Sequence, residues 1–251
     1  MDSLTRLVEL TKRLRKECPW DREQTHRSLG AHLIEEAYEV VDAIEGGSPA
    51  RLRDELGDLL LQVLFHANIA EETGDFDLPA VADTLSAKLI SRHPHIFGDT
   101  AVSGADQVKE NWEKLKMKEG RESIFEGLPS HLPALLLSKR IQEKAAAVGF
   151  DWEHGEDVWK KVVEETGELR REVEAGDAGR TMEEFGDLLF AMVNYARFLK
   201  LDPEESLRLA AAKFRKRFGY IEAALKERGK RPHDATLAEM DELWEESKRS
   251  P

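Results

Sequence analysis

The stretch DELGDLLLQV occupies residues 54–63, and EEFGDLLFAM occupies residues 183–192. Each sets two acids, a glycine and a third acid directly against an apolar run. A glycine inside a helix costs about 1 kcal/mol relative to alanine. Acids beside a core risk desolvation. A chain that accepts both costs twice has a reason to keep the arrangement, and the rest of the sequence supplies one.

The surrounding chain reads as helix almost throughout. Leu4, Leu7, Val8 and Leu14 form one stripe at helical spacing, and Leu33, Ala37, Val40, Val41 and Ile44 form another. Ser48-Pro49 and Asp202-Pro203 place a capping residue before a proline suited to the first helical turn. EGGS (45–48) and AGDAG (175–179) read as short turns between helices. Alternating strands and βαβ patterns are missing from the sequence pattern. The fold class expected is all-α.

The two opening stretches belong to a long internal repeat. Glu36, Glu39, Glu55, Gly57 and Asp58 recur 129 positions later as Glu165, Glu168, Glu184, Gly186 and Asp187. Further along, AKLISRHPHIFG (87–98) resembles AKFRKRFGYI (212–221), so Lys88 and Arg92 match Lys213 and Arg217. NWEKLK (111–116) resembles LWEESK (243–248), so Trp112 and Lys116 match Trp244 and Lys248. Drifts in offset fall between helices, where insertions are tolerated. Two tandem helical domains are expected, residues 1–119 and 136–251, with the proline-bearing segment 120–135 as linker.

The acids suggest what the repeat is for. Glu36 and Glu39 share one helical face, and Glu55 and Asp58 share another. A short connection makes the two helices antiparallel neighbours, so four carboxylates can converge. At about 6 Å and an effective dielectric of 20, each like-charged pair repels by roughly 3 kcal/mol. A divalent cation is the simplest counter-charge, and oxygen-only donors suit Mg²⁺, with Mn²⁺ as a substitute. An isolated E-x-x-E is most often a solvated face; recurrence of the whole set beside apolar neighbours favours a metal. Glu23 and His26 form an E-x-x-H that has no counterpart in the second half, which weakens a di-iron reading. His93-Pro94-His95 also has no counterpart and reads as a turn, and His32 reads as surface or cap. For Gly57 and Gly186 two readings stand: tight helix packing, or room for a ligand or backbone to approach the acids.

Basic and aromatic residues add to this. Lys88 and Arg92, Lys213 and Arg217, Trp112 and Lys116, and Trp244 and Lys248 each lie four apart on a helical face. Metal, lysine and arginine together suit a polyphosphate, and a tryptophan can stack on a base. Singly, each basic pair reads as solvated surface and each tryptophan as core. A net charge of −13 over 251 residues argues against broad nucleic-acid binding. Cys18 is the lone cysteine, the N-terminus lacks a signal-peptide pattern, and no apolar run is long enough to span a membrane. A cytoplasmic protein is expected.

With these residues in view, the chain resembles the MazG nucleoside triphosphate pyrophosphohydrolases. The resemblance rests on E-x2-E, fifteen residues, E-x2-D, with GDLL, RHPHIFGD and NWEKLK, and it covers nearly the whole chain in tandem form. It implies an all-α bundle per domain, a homodimer that completes each bundle, and Mg²⁺-dependent hydrolysis of a nucleoside triphosphate to monophosphate and pyrophosphate, a nucleotide-pool house-cleaning activity. Carried over by motif, Glu36, Glu39, Glu55 and Asp58 hold metal in the first domain, and Glu165, Glu168, Glu184 and Asp187 in the second. Lys88, Arg92, Trp112 and Lys116 bind nucleotide in the first, and Lys213, Arg217, Trp244 and Lys248 in the second. Glu35 and Glu164, adjacent to the first ligands, orient water or act as base. Relatives often carry an asparagine just before the lysine matching Lys213; here the stretch is AAAKF, which puts base or sugar contacts there in doubt. Both acid sets are intact, and the resemblance alone tilts activity toward the second half. Two alternatives stay open: a narrower pyrophosphatase of this fold acting on deoxyuridine or phosphoribosyl nucleotides, and a nucleotide-sensing helical scaffold without turnover.

Overall fold

Short, conformationally fixed turns decide the architecture. In the computed structural model, which describes residues 2–104, 107–108, 111–112 and 123–249, Gly30–Glu45 (α3) ends at Gly46, and Pro49–Thr73 (α4) starts three positions further on. Gly47 takes a left-handed φ of 65°, and the Ser48 hydroxyl accepts the Arg51 N–H at 3.4 Å. In the second half Gly155–Ala175 (α8) ends at Gly176, with φ 74°, and Asp177 caps Ala178–Phe198 (α9) by accepting the Gly179 and Arg180 N–H groups at 3.0 and 3.1 Å. A turn this short leaves the following helix no course except back along its predecessor.

The chain forms two units, Met1–Ser103 and Gly104–Pro251. The first holds Ser3–Glu17 (α1), Pro19–Glu23 (α2), α3, α4, Leu78–Arg92 (α5) and the one-turn Pro94–Phe97 (α6). The second holds Ala134–Ala147 (α7), α8, α9, Pro203–Glu227 (α10), a 3₁₀ turn at Pro232–Asp234 and Leu237–Ser247 (α11). There is no β-strand among the described residues. Residues 123–133, within the expected linker, carry turns and no helix.

In the first unit Leu29, Phe65 and Ile69 form a small buried cluster with Leu61 against it. α1 is fastened to α4 mainly by polar contacts. The buried Arg15 donates to the Glu72 carboxylate at 2.6 and 3.0 Å and to the Asp21 and Gln24 carbonyls, and Asn68 donates to the Thr11 hydroxyl at 3.2 Å. The α1 stripe read from the sequence is a real helical face, yet α1 buries Thr11 and Arg15, and Leu4 and Leu14 remain exposed. On α3, likewise, Ala43 is buried while Leu33 and Ile44 are exposed. In the second unit Ile221, Leu225 and Leu243 join α10 to α11, with Phe218, Met240 and Trp244 packed around them. α7 bridges this pair to α9, its buried Gln142 donating to the Phe190 carbonyl at 2.8 Å.

Candidate functional site

Antiparallel pairing sets the acids of each hairpin across from one another. Counting back from the turn, Glu39 comes level with Glu55 and Glu36 with Asp58; in the second hairpin Glu168 comes level with Glu184 and Glu165 with Asp187. In the first unit Glu36, Glu39 and Glu55 each offer a carboxylate oxygen within 4.8 Å of the others. In the second, Glu165, Glu184 and Asp187 do the same. Asp58 and Glu168 stand beside these trios without joining them. Asp58 is the foremost charge acting on Glu36, and Glu168 the foremost acting on Glu184.

The acids feel one another. Partial burial first, then repulsion from Asp58, Glu35 and Glu55, raises the Glu36 carboxyl above its ordinary value. Glu39 is raised first by a hydrogen bond with the Glu55 carboxyl, then by its charge. Glu184 is raised by burial, then by Glu168, Glu165, Asp187 and Glu172. Shifts of this sign mean that the ionised clusters lack full compensation within the chain. The donor set is carboxylate oxygen throughout, as a hard divalent cation prefers. On both counts the residues fit Mg²⁺ or Mn²⁺.

Neighbouring side chains take different places in the two hairpins. Lys161 lies 2.6 Å from the buried Glu165 and 3.0 Å from Glu164, and these carboxylates hold its ammonium charged well above the usual lysine range. Its counterpart His32 lies 3.6 Å from Glu35 and edge-on to Trp20. Arg51 lies 3.2 Å from Glu55, and Arg171 lies 2.9 Å from Glu168. Glu35 and Glu164 are exposed and lie outside the trios. The sequence pattern did not single out Lys161, Arg51 or Glu172. Their i,i+4 and i,i+7 spacing to the ligands was the signal available.

The expected nucleotide-binding residues sit on other helices. Lys213 and Arg217 lie on α10, which packs chiefly on α11 and α7. The Arg217 guanidinium lies 5.5 Å from the centre of the Trp244 ring, and Phe214 packs 5.1 Å from it. Trp244 is thus half core residue and half platform, and Lys248 pairs with Glu245. Among the described residues, no ion pair or hydrogen bond joins Lys213, Arg217, Trp244 or Lys248 to the second trio. Lys88 is exposed on α5, Arg92 is in its last turn and Trp112 is half-buried. Lys116 lies outside the described residues. His26 stacks on His66, Nδ1 to Nδ1 at 2.7 Å. His93 caps α5, its ring nitrogen 2.6 Å from the Leu89 carbonyl. Among the described residues, a Cβ built on Gly57 or Gly186 would meet no atom beyond its own helix within 4 Å, so close packing against those residues does not require either glycine.

The model of the MazG nucleotide pyrophosphohydrolase domain matches residues 24–97 and again 154–220, so each match contains one acidic hairpin. The chain is 44% identical over 247 residues to the nucleoside triphosphate pyrophosphohydrolase/pyrophosphatase MazG of Thermotoga maritima, covering 96% of this chain and 94% of that protein. It is 40% identical over 258 residues to the nucleoside triphosphate pyrophosphohydrolase of Escherichia coli, covering 99% and 98%. It is also 46% identical to the protein YabN of Bacillus subtilis, covering 93% of this chain and 48% of that one.

The raised Glu39 carboxyl makes a prediction about the metal-free protein. Because its folded value exceeds the ordinary 4.5, the folded state holds this proton more tightly than the unfolded chain. Stability is therefore lost as pH rises through the raised value. Glu39→Gln removes that loss, so without divalent metal its melting temperature should exceed wild type at pH 7. The gain should shrink to nothing as pH falls well below about 4.5. An unchanged or lowered melting temperature at pH 7 would show that the carboxylates do not strain one another.

Proposed function

The chain belongs to the MazG family of nucleotide pyrophosphohydrolases, and on that footing we infer that it is a nucleoside triphosphate pyrophosphohydrolase, splitting its substrate to the monophosphate and pyrophosphate. The observation that carries the reading at residue level is the convergence of three carboxylates, twice, in the two segments that match the family.

Each hairpin is read as one metal-dependent centre. Glu36, Glu39 and Glu55, with Asp58 beside them, would hold Mg²⁺ in the first, and Glu165, Glu184 and Asp187, with Glu168 beside them, in the second. When bound, the cation would supply positive charge for the phosphates and a water of lowered pKa. The chain's own groups do the rest. Glu35 and Glu164, one position from the first ligands, would orient a water or receive its proton at a carboxylate oxygen, in Glu164 at the oxygen that Lys161 does not hold. Lys213 and Arg217 offset charge on the departing pyrophosphate, and Trp244 offers the base an aromatic face. Lys88, Arg92, Trp112 and Lys116 play these parts in the first half. Attack is assigned to the α-phosphorus.

Assembly as a homodimer belongs to the same reading. Ile34, Ile44, Leu56, Val163, Met182 and Phe185, all on the four acidic helices, are exposed in the single chain. Exposed apolar residues on the acid-bearing helices support an association face there. Gly57 and Gly186, open on the same helices, leave room for another backbone beside the acids. No described helix is long and apolar enough to cross a membrane, and a role in cleansing the nucleotide pool would place the protein in the cytoplasm.

Two measurements test these points. With Mg²⁺ and each common NTP and dNTP, ion-exchange analysis should show monophosphate and pyrophosphate in equal amounts. Glu36→Gln combined with Glu165→Gln should lower kcat by roughly 100-fold or more, and the single variants should divide that loss between the halves. Diphosphate and phosphate as products, or full activity in the double variant, would refute the site. Sedimentation equilibrium should give twice the chain mass of 28.5 kDa; a monomer at micromolar concentration would remove the dimer from the account.

A further inference from the structure

The two hairpins repeat the same four acids at the 129-residue offset, but the cation that reaches each trio comes from a different position. Positions 32 and 161 correspond, as do 51 and 180. In the second hairpin Lys161 reaches the trio, through Glu165 at 2.6 Å. In the first, the residue at that place is His32, which turns to Glu35. Arg51 instead reaches the first trio, through Glu55 at 3.2 Å, while its counterpart Arg180 lies 3.5 Å from Glu172. Glu172 stands where the first half has the buried Ala43. Each trio therefore holds one built-in cation, delivered by opposite helices of the pair.

We propose that Lys161 and Arg51 are place-holder cations, each occupying one carboxylate of its trio and competing with the divalent ion for it. The inference rests on the metal reading of the trios. An ammonium at hydrogen-bond distance offsets part of the repulsion in the empty cluster. The same positive charge opposes a second cation at the same oxygens. In the second hairpin Glu164, 3.0 Å from the Lys161 Nζ, gives the ammonium a carboxylate to keep when Glu165 turns to metal. Lysine suits this part because its single ammonium on a flexible stem can pivot between two neighbouring acids. In the first hairpin Arg51 pairs with Glu55 alone among the described residues, and the carboxylate next to Glu55 is Glu39, itself a member of the trio. The competition is stronger in the second hairpin: the Glu165 side chain is 7% exposed and Lys161 37%, against 15% and 52% for Glu55 and Arg51. Solvent screens the Arg51 pair more.

The test uses Mn²⁺ alone, without nucleotide, followed by electron paramagnetic resonance at low ionic strength in the full chain. One background, Glu36→Gln with Glu55→Gln, leaves only the second trio. The other, Glu165→Gln with Glu184→Gln, leaves only the first. In the first background Lys161→Gln should tighten Mn²⁺ binding about tenfold. In the other, Arg51→Gln should tighten it by a smaller factor, and His32→Lys, which recreates the four-residue spacing of Lys161 and Glu165, should loosen it. Circular dichroism confirms that each variant is folded. Unchanged or weaker binding in Lys161→Gln, with His32→Lys also neutral, overturns the place-holder role while the metal site stands. Failure of the unmodified chain to bind Mn²⁺ removes the metal reading itself, and the inference with it.

Discussion

Like charge held close by a short turn is the constraint on which the rest of this structure depends. Once Gly46-Gly47-Ser48 and Gly176-Asp177 fold each helix back on its predecessor, the acids at three-residue spacing are forced to face one another. The raised carboxyls of Glu36, Glu39 and Glu184 register that cost. A fold selected for stability alone would have no reason to retain it in both halves. A pyrophosphohydrolase has one, because on the reading proposed above a site strained by negative charge would take up a divalent ion together with the polyphosphate. The destabilisation of the empty cluster would then become affinity in the filled one.

The same hairpins bear on the surface of the molecule. Within each hairpin, apolar residues lie exposed on the helices that carry the acids, Ile34 and Leu56 in the first and Phe185 in the second. A second chain laid against these helices would bury the apolar residues and close the acids into a drier space. Electrostatic interactions there would be screened less. Catalytic site and association face would then be parts of one surface.

Much of this was legible in the sequence. The prolines and caps at Ser48-Pro49 and Asp202-Pro203 open helices where the pattern places them, and the 129-residue repeat marks the two hairpins that converge. Which acids would meet was not legible. Glu39 joins the first trio, but its counterpart Glu168 lies outside the second and pairs with Arg171, whose place in the first half is taken by Asp42. A repeat read through its conserved-looking acids passes over the cations that reposition them. The apolar stripes of α1 and α3 were visible as faces, yet periodicity says only that a face is apolar, not whether its own chain covers it. Trp244 shows the same limit: its packing on Ile221, Leu225 and Leu243 and its stacking with Arg217 coexist, and spacing alone could not divide core from platform.

On the proposed reading, water attacks the α-phosphorus of a nucleoside triphosphate at the acidic hairpins. Hydrolysis in ¹⁸O-labelled water with Mg²⁺, with both products resolved by mass spectrometry, tests it most directly. The account predicts one labelled oxygen in the monophosphate and an unlabelled pyrophosphate. Label in the pyrophosphate, which would place attack on the β-phosphorus, would contradict it.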